Sequence, residues 1–246
     1  MLGAAHPIAH PNTLAASLQR PETRPMNLRR AIRITAGILL GLAACTPSPS
    51  VGLLDTSCQA PCWHGILPGT TTTDEALKLI PQIPGVYDES IAVRDLGDRN
   101  DHITWVMQSG AHDYYGELTT SMGAVSAIAL TPDGDVRLKD VFLAWGEPDL
   151  AGGFYGQGHG HWRRVFLLFD EGMAIVLGDE GWPTTDTWRL RPGDRVSYFY
   201  FFEPGSLHQL VRDERMFLPM APDVEALIAA SGPWEGYSTV TLQSVR

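Results

Sequence analysis

AVSAIALTPDGDVRLKDVFLAW, residues 124–145, changes its periodicity halfway. Ala124–Thr131 is a short apolar run with β-branched members, the composition of a strand, and Pro132-Asp133-Gly134-Asp135 closes it. Leu138, Val141, Phe142 and Trp145 then fall at i, i+3, i+4 and i+7, a helical stripe that Gly146 and Pro148 end. A strand followed at once by an amphipathic helix marks a new structural unit.

The pattern on either side is similar. Upstream, Thr72-Thr73-Asp74-Glu75 has the spacing of a capping box for a helix carrying Ala76, Leu77 and Ile80, which Pro81 and Pro84-Gly85 end. His102–Ser109 and Gly116–Thr120 follow as strands. Downstream, Trp162–Asp170 and Met173–Leu177 flank Glu171-Gly172 as a hairpin, and Val196–Phe202 is a further strand. Pro222–Ala230 is a last short helix, and Thr239–Val245 a closing strand. The order helix, strands, helix, strands predicts an α+β fold: two similar helix-plus-antiparallel-sheet units in one compact domain. The first unit spans 58–135 and the second, with the C-terminal helix, 136–246.

What precedes residue 58 has a different character. From Met26 a basic stretch (Arg29, Arg30, Arg33) leads into an apolar run, Ile34–Ala44, and then into Leu42-Ala43-Ala44-Cys45. These are the parts of a secretory signal. A transmembrane anchor is the competing reading, but Pro47 and Pro49 would break a helix, and the apolar run is shorter than the roughly 20 residues a span requires. Cleavage by an ordinary signal peptidase is another, against which only Cys45 argues. Residues 1–25, rich in proline and polar side chains, form a disordered leader or precede a true start at Met26; 26–44 is the signal segment, and 45–57 a tether with Pro and Ser.

Removing the first 44 residues leaves thirteen basic and twenty-seven acidic side chains, a net charge of −14 against −10 for the whole chain. Phosphate recognition needs clustered Lys and Arg, so nucleic acid is excluded as a partner. Cys58 and Cys62, with three residues between them in an exported chain, are expected to form a disulfide that stiffens the junction of tether and domain. Their spacing is not that of a thioredoxin-like motif, and with His64 they supply too few ligands for structural zinc.

Leu42-Ala43-Ala44-Cys45 resembles the lipobox of bacterial lipoproteins, which implies that Cys45 becomes the lipidated N-terminus. Pro61-Cys62-Trp63-His64-Gly65-Ile66-Leu67-Pro68-Gly69 resembles the start of uncharacterised bacterial lipoproteins. Gly65–Thr71 with Asp74-Glu75-Ala76 and Leu79 is similar to the opening of small α+β lipoproteins of the SmpA/OmlA type and of the tandem domains of β-lactamase-inhibitor proteins. In those proteins the helix ends in a leucine-glycine-x-proline turn. Here Trp145-Gly146-Glu147-Pro148 stands on the second helix, while the first ends in Ile83-Pro84-Gly85. The resemblance implies a protein-binding module and assigns no catalytic residue.

No catalytic signature emerges from the residues themselves. There is no Gly-x-Ser-x-Gly elbow, P-loop or dinucleotide glycine motif. Gly156-Gln157-Gly158-His159-Gly160-His161 places two imidazoles at strand spacing, but no third ligand is specified among His112, Asp113 and His208, and a hairpin tip is the simpler reading. Asp170-Glu171 and Asp179-Glu180 read as turn acids. No metal and no cofactor is expected. Tyr198, Tyr200 and Phe202 alternate onto one face of their strand as a candidate binding surface, unless a helix covers them. The expectation is a lipid-anchored, extracytoplasmic module at the cell membrane, or the outer membrane where there is one. It binds an envelope protein or ligand; the alternative is an extracytoplasmic hydrolase with an unrecognised site.

Overall fold

The computed structural model describes residue 54 and residues 58–109, 112–132, 136–157, 161–180, 185–207 and 224–245. All of these lie in the unit Pro49–Arg246. The chain enters through helix α1 (Thr73–Leu79) and four strands, β1 (Ala92–Gly97), β2 (Asn100–Ser109), β3 (His112–Ser121) and β4 (Ala124–Thr131). Helix α2 (Leu138–Trp145) leads to β5 (Leu150–Gln157), β6 (His161–Phe169), β7 (Met173–Glu180), the short β8 (Thr187–Arg189) and β9 (Tyr198–Phe202). Helix α3 (Val224–Ala229) and strands β10 (Ser231–Pro233), β11 (Thr239–Thr241) and β12 (Gln243–Val245) complete it.

Local chemistry sets these boundaries. Glu75 N–H donates to Thr72 Oγ1 at 3.3 Å while Thr72 N–H donates to Glu75 Oε2 at 3.0 Å, closing the capping box that starts α1. The same Thr72 N–H holds the Glu75 carboxyl below its ordinary pKa range. Gly146, at φ 82, ends α2. Met122 and Gly123, both at positive φ, make the two-residue turn that joins β3 to β4 with the twist antiparallel strands need.

The expected two-unit α+β fold is overturned by the sheet. Ten strands form one mixed sheet in the order β1-β2-β3-β4-β9-β7-β6-β5-β10, with β12 also on β5, and the helices are few and short. β9 returns to pair antiparallel with β4 from Ala127↔Phe202 to Leu130↔Phe199, and with β7 from Met173↔Phe201 to Val176↔Tyr198. The change of period at Leu138 therefore opens no second layer. α2 is eight residues long and packs on the same face as α1.

That face holds the main core. Trp63, Ile80, Leu138 and Val141 pack on Ile103, Trp105, Leu118, Ile128, Val165, Ile175, Phe199 and Phe201, all buried. Each fully buried Phe, Ile or Leu contributes about 1.5–3 kcal/mol, so the sheet centre carries much of the stability. The opposite face holds a second core, Phe154, Phe166, Leu168, Ala174, Val176, Tyr200 and Phe202 with Leu227 of α3, confined to β4–β7 and β9.

Candidate functional site

On this opposite face the far half of the sheet is different. Along β3 the pleat sends Tyr114, Gly116 and Leu118 to the main core and Asp113, Tyr115 and Glu117 to the other side. Gly116 stands where Trp105 leaves no room, since a β-carbon there would overlap the indole. The ladders set Val106 and Thr131 on either side of Tyr115, and Thr104 and Ala129 on either side of Glu117. Ser90, Thr104, Val106, Tyr115, Glu117 and Thr131 line a groove of about 360 Å³. Tyr115 is 62% exposed, and no described helix covers this half.

The groove contains the residue types of a hydrolase but not their arrangement. Ser90 Oγ donates to Tyr87 O at 2.6 Å and accepts from Val106 N–H at 2.9 Å, so the backbone uses the hydroxyl. Among the described side chains the imidazole on this face is that of His102, which pairs with Glu117 at 3.0 Å. It sits four residues from Val106 along β2, about 13 Å at strand rise, and cannot serve Ser90 as a base. What the site offers is an exposed ring, two threonines and a carboxylate.

Cys45 lies outside the described residues. Cys58 and Cys62 have their sulfurs at bonding distance and their Cα atoms 5.7 Å apart. Trp63, next in the chain, is fully buried and stacked on Trp105 at 5.8 Å, which docks this junction on the main core. Tyr198 is half-buried, and Tyr200 and Phe202 are 3% and 5% exposed in the second core. They are packed rather than presented. Burial first, then the charges of Tyr198 and Glu117, push the Tyr200 phenol far above its ordinary range, with Arg164 opposing. Arg164 is itself buried in this half, lying over Gly178, where a β-carbon would stand 2.8 Å from its Nη1.

Among the histidines weighed as ligands, His159 and His208 and the side chains of His112 and His161 lie outside the described set. Among described residues no group of three His, Cys, Asp or Glu could hold a metal. Asp170 and Glu171 are exposed in the β6–β7 turn; the side chains of Asp179 and Glu180 are not among those described. The open half of the sheet escaped the sequence reading because Gly116 interrupts the alternation of β3. The Asp113, Tyr115, Glu117 spacing was the available signal. No family model, curated protein or solved structure matches the chain.

Proposed function

We propose that this protein is an exported lipoprotein, held at a membrane surface by lipid on Cys45, whose sheet domain binds another protein of the cell envelope through its open half-face. The observation that carries the binding reading is Tyr115, a large amphipathic ring 62% exposed over a groove on a rigid sheet. Rings of this kind are enriched at interfaces because they give contact area at low entropic cost.

The anchoring reading rests on Arg29, Arg30 and Arg33, the apolar run Ile34–Ala44 and Leu42-Ala43-Ala44-Cys45. It is compatible with the described residues, in which no helix is long and apolar enough to cross a membrane. The tether 46–57 gives the domain reach from the bilayer, and a Cys58–Cys62 link stiffens its far end.

Intact mass spectrometry of membrane-extracted protein beside a Cys45→Ser variant tests the anchor. Acyl mass on a chain beginning at Cys45, lost in the variant, is expected; an unmodified N-terminus elsewhere sinks it. For the binding face, a photoreactive residue at position 115 is expected to give a discrete protein adduct in the native host. One placed at Glu171, in the β6–β7 turn, is expected to give none.

A further inference from the structure

The groove is edged by acids. Glu117 lines it, Asp113 precedes Tyr115 by two residues on the same face, and the helical turn that ends on Ser90 also carries Asp88 and Glu89. Asp88, Glu89 and Asp113 are exposed. No lysine or arginine is among the lining residues. Among the described residues, Arg94 of β1 is a cation on this face; it pairs in register with His102, two residues along the strand from Ala92, the partner of Thr104, and so stands beside the groove, outside its lining. The chain from Cys45 onward carries −14, so the local sign and the global sign agree.

We infer that the groove receives a lysine or arginine side chain from a basic segment of the partner protein. This rests on the binding role proposed above and names its chemistry. The face of Tyr115 attracts an ammonium or guanidinium through the ring quadrupole. Asp113, on one side of the ring, supplies a charge-assisted acceptor, Glu117 on the other supplies the carboxylate oxygen that does not pair with His102, and the Thr104 and Thr131 hydroxyls supply neutral acceptors. Val106 packs the methylenes that such side chains bury behind their charged heads. A volume of about 360 Å³ is at the small end of ligand pockets and suits one long side chain. Acidic polymers and anionic lipid surfaces carry the wrong sign.

The test is fluorescence anisotropy with the detergent-solubilised full-length chain and rhodamine-labelled peptides of about a dozen residues, alternating Lys/Ser, Arg/Ser or Glu/Ser. The basic peptides are expected to bind and the acidic one not. Tyr115→Ala is expected to weaken binding about three- to fivefold, and Asp113→Asn about twofold. Tyr115→Phe keeps the ring and the affinity, and Glu171→Gln, in the β6–β7 turn, leaves binding unchanged. Equal losses for Asp113→Asn and Glu171→Gln mean diffuse attraction to an acidic surface and overturn the inference, as does the absence of binding by either basic peptide. If the basic peptides fail while the position-115 adduct persists in the host, the cationic chemistry falls and the binding role stands. If both fail, both fall.

Discussion

On the face turned away from α1 and α2, strands β6, β7 and β9 present Phe166, Leu168, Ala174, Val176, Tyr200 and Phe202, whereas β2 and β3 present His102, Thr104, Val106, Asp113, Tyr115 and Glu117. The two sets lie on one continuous sheet with β4 between them. Both halves are antiparallel ladders, from β2–β3 to β6–β7 and β7–β9, so it is side-chain chemistry that separates the two surfaces. An aromatic and aliphatic surface is stable only when roofed, and Leu227 of α3 joins it in a second core. A surface of hydroxyls, carboxylates and one exposed ring is left available for contact. The lesson is that the Tyr and Phe residues most conspicuous in the sequence hold the fold, and the more modest row on β3 faces outward.

The sharpest way to break this contrast is to truncate one ring in each half. Phe166→Ala is expected to cost about 3–5 kcal/mol in urea unfolding, because the ring is fully buried against Phe154 at 5.6 Å. Leu227→Ala, on the roofing helix, is expected to cost about 2–4 kcal/mol. A loss under about 0.5 kcal/mol, the size of an ordinary surface substitution, would show that α3 does not close the second core.

Tyr200 allows a pH test confined to the covered half. Its folded pKa lies above the ordinary 10.0, so as pH rises past that value the unfolded chain releases the proton first. Stability is therefore complete below pH 10.0 and falls above it, by about 1.4 kcal/mol per pH unit from this group. Tyr200→Phe is expected to remove that slope in alkaline unfolding curves; an unchanged slope would mean the phenol is not sequestered. The smallest effects belong to the open half: Tyr115→Ala and Thr104→Val are each expected to stay within about 0.5 kcal/mol of wild type in the same assay.

The elements were more legible than their assembly. β4 and α2 fall where the period change in residues 124–145 places them, and β6, β7 and β9 lie within or near their expected runs. β5 was missed because Gly152, Gly153 and Gly156 remove its apolar alternation. They are glycines because neighbours take their side-chain space, as where Phe166 would stand 2.7 Å from a Gly152 β-carbon. β1, Ala92–Gly97, is exposed along its whole length at the sheet edge, so burial imposes no pattern on it. The pairing of β4 with β9 defeated the fold-class expectation, because no local signal records a partner that distant in sequence. The candidate site was hidden for the same reason: Ser90, Thr104, Tyr115 and Thr131 become neighbours only through register. The alternation of Tyr198, Tyr200 and Phe202 was legible, and their burial was not.

The central position of β9 also dictates a timetable. Of the eight strands from β1 to β7 and β9 that run side by side, the one in the middle is synthesised last, starting at Tyr198 when β4 ended at Thr131. At about 5–20 residues per second that is a delay of roughly 3–13 seconds, during which Ala127–Leu130 is a bare edge, joined by Met173–Val176 only for about the last 1–4 seconds. An emerging chain cannot complete its sheet early. Late arrival of the central strand leaves the sheet open until most of the chain has been made.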